Sequence, residues 1–227
     1  MIKNLLAAAS VAALTFALPA QAATVVQWDF QTPPADLTNS AVSPSVAAST
    51  GTGIASGLHA SADTDWTTPA GNGSTDSFSS NTWAVGDYWQ FSFSTTGYID
   101  LTLSFDQTGS GTGPRDFTLA YSTNGSTFTN FASYALQAIT WTAGTNNPAS
   151  TITMDLSAIS TLDNSATVFI RLVDASTVAI GGGAVGTGGT DRVDNFTVNL
   201  SPVPEAGTLA LMLAGLAAVG FVAQRRR

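Results

Sequence analysis

Residues 88–106, YWQFSFSTTGYIDLTLSFD, contain two segments in which apolar and polar residues alternate. In the first segment Trp89, Phe91 and Phe93 alternate with Gln90, Ser92 and Ser94, and in the second Ile99, Leu101, Leu103 and Phe105 alternate with polar residues. A period of two places the apolar side chains on one face of a β-strand, so each segment predicts a strand buried on one side. Thr96-Gly97 separates the segments, and the pair therefore predicts a hairpin or a meander.

The same pattern recurs between residues 23 and 200. Phe117, Leu119 and Tyr121 repeat it, and Asn124-Gly125 is a strong turn signal. Further strands are predicted at Thr24–Phe30, Thr127–Tyr134, Thr151–Leu156, Thr167–Val173 and Arg192–Leu200, the last with Asp194, Phe196, Val198 and Leu200 on one face. About eight to ten strands, with no competing helical period, predict a single all-β domain at residues 23–200, an antiparallel β-sandwich of jelly-roll type.

Composition limits the classes of function. The chain has no cysteine, which excludes disulfides, cysteine-based zinc sites and cysteine nucleophiles. Between residues 23 and 200, three arginines and fourteen aspartates give a net charge of −11. Such a surface does not neutralise phosphates, which argues against a nucleic-acid partner.

The N-terminus has the three parts of a secretory signal peptide. Lys3 supplies a positive charge, residues 5–18 are almost wholly apolar, and Pro19 follows them. Ala20 and Ala22 are small residues at the positions that a signal peptidase reads. We therefore predict a signal peptide at residues 1–22 and a mature chain that begins at Ala23.

The C-terminus combines an apolar segment with a basic cluster. Residues 206–223 carry no charge, and as a helix they would extend about 27 Å, close to the thickness of a hydrocarbon core. Arg225, Arg226 and Arg227 follow, and the positive-inside tendency predicts that they stay in the cytoplasm. The length and charge of this segment also fit a permanent membrane anchor with a single span, which is the alternative.

Val203-Pro204-Glu205, the apolar segment and the arginine cluster together resemble the PEP-CTERM sorting signal of Gram-negative bacteria, at residues 201–227. That motif usually reads Pro-Glu-Pro, and Ala206 takes the place of the second proline. The resemblance implies that an exosortase recognises the tail in the inner membrane, cuts near Pro204-Glu205 and passes the body to the cell surface or the extracellular matrix. The apolar tail would then be a removable address, as in a GPI signal.

The order of the segments between residues 90 and 200 is also similar to that of the jelly-roll ectodomains of PEP-CTERM proteins and of surface modules beside secreted enzymes. Such domains share a scaffold and not a single activity. Modules of this type that bind carbohydrate often join their first and last strands through calcium, which prefers oxygen ligands. Here Asp29, Asp191 and Asp194 are the calcium candidates; the alternatives are exposed strand positions and, for Asp194, an ion pair with Arg192 or Arg171.

The sequence also contains candidates for sugar-binding and catalytic sites. Trp66 and Trp141 lie in polar segments, so they are candidates for stacking against sugar rings, although core packing is the alternative for both. His59 is the single histidine, and a Ser-His-Asp triad would need it as the base, but no Gly-x-Ser-x-Gly motif is present. A pair of aspartates could serve a glycosidase only at a suitable separation, which the sequence does not give.

These observations favour a non-enzymatic protein of the cell surface or matrix that associates with exopolysaccharide. The alternative is a carbohydrate-binding jelly-roll module, assisted by calcium. A secreted hydrolase that uses aspartates is the third hypothesis.

Overall fold

The structure is a computed structural model that describes residues 22–203 and 206–225. The predicted signal peptide except Ala22, and Pro204, Glu205, Arg226 and Arg227 of the predicted sorting signal, lie outside the described residues. Residues Ala22–Ser201 form one compact unit, and the C-terminal helix belongs to another. The body is therefore described first and the helix by itself.

Twelve strands are described in the body. They are β1 (Ala23–Trp28), β2 (Val46–Ala47), β3 (Gly53–Leu58), β4 (Trp66–Thr67), β5 (Phe78–Ser80), β6 (Tyr88–Phe93), β7 (Tyr98–Gly109), β8 (Asp116–Ser122), β9 (Thr129–Ala135), β10 (Thr151–Asp155), β11 (Val168–Asp174) and β12 (Asp191–Pro202). Two short 3-10 helices, Pro148–Ser150 and Ser160–Leu162, precede β10 and β11.

The strands form two six-stranded sheets. Sheet I has the order β10-β7-β12-β5-β4, and β1 also pairs with β12. Sheet II has the order β2-β3-β6-β11-β8-β9. The sheets are antiparallel, as the register of β6 with β11 and of β1 with β12 illustrates. The predicted antiparallel β-sandwich is confirmed.

Aromatic side chains from both sheets fill the space between them. Phe91 of β6 stacks on Phe196 of β12 with ring centroids 3.6 Å apart and an interplanar angle of 8°. Trp28 of β1 meets both of these rings, at 5.2 Å and 5.8 Å. Because Phe91 belongs to sheet II and the other two residues belong to sheet I, these contacts join the two layers. Burial of this apolar surface is the main stabilising contribution to such a fold.

The alternation in residues 88–106 has the predicted structural outcome. Trp89, Phe91 and Phe93 are buried on one face of β6, while Tyr88, Gln90 and Ser92 are half-buried on the other. Leu101, Leu103 and Phe105 are buried along β7, whereas Ile99 is half-buried. Both predicted strands are confirmed, but they lie in different sheets and do not form a hairpin.

The burial pattern of β12 agrees with the predicted face in its second half and departs from it in its first half. Asp191 and Val193 are buried in its first half, and Phe196, Val198 and Leu200 are buried in its second half. Asp194 and Asn195 lie between the two halves, and Asn195 has a φ of 50°, in the left-handed region. The buried positions therefore change parity between Val193 and Asp194. Asp194 is buried together with Phe196, Val198 and Leu200, as predicted, whereas Val193, one position earlier, is buried as well.

Four strands were not predicted: β2, β3, β4 and β5. Three of them have only two or three residues, and β3 (GIASGL) is composed largely of small residues. Gly57 in β3 has a specific role, because a Cβ atom there would lie 2.5 Å from the ring of Trp66. The small side chains of β3 thus make room for the tryptophans of the core. Because they are small, β3 lacks the alternation of large apolar and polar residues from which a strand is predicted.

The C-terminal helix α1 spans Ala206–Arg225, which confirms a helix at the predicted place. Leu213, Leu216 and Phe221 are each about 60% or more exposed, so the described part of this helix presents large apolar side chains. Within the part of the chain that the structure describes, no helix is both long and apolar enough to cross a membrane. The membrane-spanning role of residues 206–223 stays a prediction.

Candidate functional site

The two tryptophans predicted as surface candidates are buried. Trp66 is 1% exposed, and its indole Nε1 donates to the carbonyl of Ser40 at 2.8 Å. Trp141 is 4% exposed, and its Nε1 donates to Ser150 Oγ at 2.8 Å. The prediction that Trp66 and Trp141 stack on sugar rings is therefore wrong in its premise, since neither ring offers a free face. Trp66 packs against Phe78 and Trp89 in the core, and the guanidinium of Arg192 lies over the ring of Trp141.

The three calcium candidates have different environments. Asp29 is half-buried, and its Oδ1 accepts from the backbone N–H of Gln31 at 3.1 Å. It lines a cleft of about 350 Å³ beside strand β2. Asp191 and Asp194 are both fully buried. Among the described residues, no group of three or more His, Cys, Asp or Glu side chains is placed to hold a metal ion. The structure does not bring Asp29, Asp191 and Asp194 together as a metal site.

Asp191 lies in the core between the sheets. Its Oδ1 accepts from Trp89 Nε1 at 2.6 Å and from Gln107 Nε2 at 3.0 Å. Its Oδ2 has no hydrogen-bond partner among the described residues. Burial raises the pKa of this carboxyl well above its ordinary value, although the two hydrogen bonds oppose the shift. Asp191 thus fixes the orientation of core side chains.

Asp194 organises a loop. Its Oδ2 accepts from the backbone N–H of Asn72 at 2.8 Å and from Ser74 Oγ at 2.7 Å, and its Oδ1 accepts from the N–H of Asn195 at 2.8 Å. Burial raises the pKa of Asp194 to about 6, and these hydrogen bonds oppose the rise. The predicted alternatives, an exposed position or an ion pair with Arg192 or Arg171, do not describe this residue.

We expect calcium to leave the stability of this protein unchanged. The predicted ligands do not converge, and the oxygens of Asp194 are occupied by protein donors. Thermal melts with calcium, with chelator and with magnesium as a control should give one Tm. A Tm that falls on chelation and recovers specifically with calcium would contradict this expectation, because only an ion bound to the folded state stabilises it in this way.

The single histidine, His59, lies between a serine and an aspartate as in a Ser-His-Asp hydrolase triad, but the three residues are too deeply buried to contact a substrate. His59 Nε2 lies 3.3 Å from Ser80 Oγ, and its Nδ1 lies 3.5 Å from Asp87 Oδ2. All three residues are 3% exposed or less. Burial lowers the pKa of His59 to about 4, so the ring is neutral and a weak base. Ser80 Oγ therefore cannot reach a substrate carbonyl, and the cluster satisfies buried polar groups.

A different cluster lies on the outer face of sheet II, and we call it the Arg171 cluster: Arg171, Tyr88, Phe128 and Gln90. The guanidinium carbon of Arg171 is 3.8 Å from the ring centroid of Tyr88 and 3.7 Å from that of Phe128. Arg171 Nε donates to Gln90 Oε1 at 2.8 Å. Two cation–π contacts and one hydrogen bond hold the guanidinium in a fixed orientation.

The electrostatics of the Arg171 cluster are unusual for so acidic a protein. The structure gives Arg171 no carboxylate partner among the described residues, whereas Arg115 pairs with Asp116 at 2.9 Å. Desolvation lowers the pKa of Arg171, but a guanidinium stays protonated in proteins. Ala120, the register partner of Arg171 on β8, is 2% exposed. The cluster is therefore a packed, half-buried cation on an otherwise neutral sheet face.

Sequence reasoning missed this cluster because its members are far apart in the chain. Tyr88 and Gln90 lie on β6, Arg171 lies on β11, and Phe128 immediately precedes β9. The available signal was Arg171 in VFIRLVD, where one charged residue at an outward-facing position interrupts a run of apolar residues. Only the order β6-β11-β8-β9 of sheet II brings the four side chains together.

One comparison with known proteins identifies the tail. Residues 202–227 match the family model of the PEP-CTERM protein-sorting motif. The chain therefore carries this sorting signal and is a secreted protein that passes through the membrane, and an exosortase is the general kind of partner that the signal implies. No curated protein matches the chain.

Solved structures similar to this chain include carbohydrate-active enzyme modules and an adhesin domain. The CBM22-1–GH10 modules of Clostridium thermocellum endo-1,4-beta-D-xylanase 10B, complexed with xylohexaose, are 13% identical, with 81% of this chain and 29% of that chain covered and a TM-score of 0.44. The CBM22-1–CBM22-2 tandem domain of Paenibacillus barcinonensis Xyn10C is 12% identical, with 85% and 50% covered and a TM-score of 0.41.

A cleaved adhesin domain of Lys-gingipain from Porphyromonas gingivalis is 14% identical, with 73% of this chain and 98% of that chain covered and a TM-score of 0.40. This chain spans only 29% of the xylanase chain. At these TM-scores the neighbours carry no argument about activity, and the candidate site depends on its own geometry.

Proposed function

We propose that this protein is delivered by an exosortase-type system to the cell surface or the extracellular matrix, where its β-sandwich acts as a non-enzymatic structural or interaction component associated with exopolysaccharide. The observation that carries the proposal is the sorting motif at residues 202–227, which directly follows the last strand of the sandwich. The body before the motif is the part that sorting would deliver.

The proposal assigns a role to each end of the chain. A signal peptidase removes residues 1–22 by recognising Ala20 and Ala22. The C-terminal helix holds the precursor transiently in the inner membrane, with Arg225, Arg226 and Arg227 on the cytoplasmic side, and Val203-Pro204-Glu205 marks the place of cleavage. The exposed Leu213, Leu216 and Phe221 support this role, since apolar side chains on a helix surface favour a lipid environment.

A second candidate function is carbohydrate binding by the sandwich, and the Arg171 cluster favours it. The cluster offers a fixed guanidinium on a sheet face, with the rings of Tyr88 and Phe128 on it. A small number of fixed polar groups beside aromatic surface is a general property of ligand sites. This function is compatible with the first, because a matrix protein can be retained through its glycan.

The proposed sorting predicts a definite pair of termini. We expect the protein recovered from the extracellular and outer fractions of its native host to begin near Ala23 and to end between Val203 and Ala206. Intact mass and terminal peptide mapping of each fraction measure both ends. A variant in which Arg225, Arg226 and Arg227 are replaced by glutamine is the control, and it should accumulate with an uncut tail.

A protein that still carries Arg227 and stays in the inner membrane would contradict the prediction that the C-terminal sorting signal is cleaved off. Such a result would describe a single-span anchored ectodomain instead. Ala206 is the residue to change next in that case, since Ala206→Pro restores the usual Pro-Glu-Pro sequence. Recovery of cleavage in Ala206→Pro would locate the defect in the motif and not in the sandwich.

A further inference from the structure

The outer face of sheet II differs in charge from the rest of the body. Its six strands contain two aspartates, Asp116 at the first position of β8 and Asp174 at the last position of β11. Asp116 is paired with Arg115, and Asp174 is 1% exposed. Arg171 is the single charged residue in the interior of these strands. A protein with a net charge of −11 over residues 23–200 thus presents one cation here.

The guanidinium of Arg171 has unused hydrogen-bonding capacity. Its Nε donates to Gln90 Oε1, whereas its Nη1 and Nη2 donate no hydrogen bond to any described residue. These two nitrogens form the end-on fork that matches the two oxygens of a carboxylate. Tyr88 and Phe128 already hold the guanidinium plane. A carboxylate ligand would therefore form both hydrogen bonds to Nη1 and Nη2 without the usual entropic cost of ordering a long side chain.

The positions around Arg171 form a row that crosses five strands. In order across the sheet, the register partners are Ser56, Gln90, Arg171, Ala120 and Asn130. At about 4.8 Å between strands, this row is about 19 Å long. The next row, Leu58, Tyr88, Val173, Thr118 and Ser133, adds hydroxyl groups and apolar surface. Amides, hydroxyls and apolar patches in one line suit a chain of several sugar rings.

We propose that the outer face of sheet II binds an acidic polysaccharide, with a uronic-acid carboxylate on Nη1 and Nη2 of Arg171. This inference deepens the proposed association with exopolysaccharide and rests on it. Charge complementarity commits the proposal to an anionic chain, because Arg171 is the single charged residue in the interior of the strands of sheet II. The hydroxyl and amide groups beside Arg171 favour a sugar over an acidic peptide.

Binding of the purified full-length protein to polygalacturonate tests the proposal, with carboxyl-reduced polygalacturonate as the neutral counterpart. We expect the acidic polymer to bind about tenfold or more tightly than the neutral one, as a charge-assisted bidentate contact provides. Arg171→Gln should remove this preference. Arg115→Gln removes the same charge from the Arg115–Asp116 pair, so it should leave the affinity within about twofold.

Gln90→Glu is a second variant that keeps the packing of the cluster. It places a carboxylate at the atom that already accepts from Arg171 Nε, and it should weaken binding of polygalacturonate by neutralising the cation from within the protein. The Tm of every variant is measured in parallel. If Arg171→Gln does not fold, Gln90→Glu decides the result alone.

Unchanged binding in Arg171→Gln or in a folded Gln90→Glu would overturn the proposal, and so would an equal loss in Arg115→Gln. Equal affinity of the wild type for the neutral polymer would overturn the acidic ligand while the association with polysaccharide stands. Binding of polyglutamate but of neither polymer would assign the face to an acidic polypeptide. The sorting proposal is tested separately by the termini, so the failure of one does not imply the failure of the other.

Discussion

Trp89→Ala is expected to lower the free energy of unfolding by about 4 kcal/mol or more, which is a large part of the about 5–15 kcal/mol that holds a domain folded. Trp89 is fully buried on β6. Its ring meets Phe78 at 4.9 Å, Trp83 at 5.4 Å and Trp66 at 5.5 Å between centroids. The substitution creates a cavity among these rings and also removes one of the two donors to Asp191 Oδ1, the indole N–H at 2.6 Å.

Trp89→Phe separates the two contributions. It keeps most of the ring contacts and removes the indole N–H, so we expect a smaller loss of about 1–3 kcal/mol from the loss of one of the two donors to the buried Asp191 carboxyl. Urea denaturation of both variants and of the wild type measures the difference. A loss below about 1 kcal/mol for Trp89→Ala would mean that the aromatic cluster does not close the sandwich as described.

Asp194→Ala has the second largest expected effect, about 3 kcal/mol. The substitution leaves the N–H of Asn72, the hydroxyl of Ser74 and the N–H of Asn195 without the acceptor that they share. Asn72 is 2% exposed, so water cannot replace the carboxylate at its N–H without opening the loop. Ser74→Ala removes one of these three hydrogen bonds together with the contact of Ser74 Oγ to the carbonyl of Asp76, and it should cost about 1 kcal/mol.

The same residue gives a predicted dependence on pH. The pKa of Asp194 is about 6 in the folded protein, above the ordinary aspartate value of 3.8. The folded state therefore holds the proton more tightly than the unfolded state. The resulting stabilisation is complete below about pH 3.8 and is lost as the pH rises through about 6. Between pH 5 and pH 7, Asp194 alone should account for about 1 kcal/mol of lost stability.

Comparison of variants isolates Asp194 from other titrating groups. Burial also raises the pKa of Asp174 to about 6 and lowers that of His59 to about 4, and these two groups act in opposite directions. Asp194→Asn should lose less stability than the wild type between pH 5 and pH 7, and Asp63→Asn, at an exposed position, should follow the wild type. Identical pH profiles for wild type and Asp194→Asn would contradict the raised pKa.

The parts of the fold that could be predicted are those in which one strand has a clear period of two. Trp89, Phe91 and Phe93 needed no partner strand to reveal their buried face. Gly125, at the predicted turn, has a φ of 70°, which the Asn-Gly signal requires. The burial of Asp191 and Val193 in β12 could not be read in the same way, since the change of buried face between Val193 and Asp194 leaves no mark in the sequence alternation.

The candidate sites were less predictable because burial of a polar segment depends on the rest of the fold. Trp66 and Trp141 lie among Thr, Asp and Gly residues, which are typical of loops, but both are buried, and Trp66 lies on the short strand β4 and packs against Phe78 and Trp89. His59 is buried for the same reason. Arg171 had the opposite problem, since its importance comes from Tyr88 and Phe128, which only the sheet order brings to it.

The position of β12 has a consequence for the order of events during synthesis. β12 is the last of the described strands, but it lies inside sheet I, where its neighbours are β7 and β5 and where it also pairs with β1. Until Asp191–Pro202 has emerged, β1 has no partner from sheet I. The sandwich therefore closes only when the sorting signal at residues 202–227 is about to follow. The last strand of the fold and the sorting signal thus emerge at nearly the same time. A chain truncated before β12 would have neither a complete sandwich nor a sorting signal.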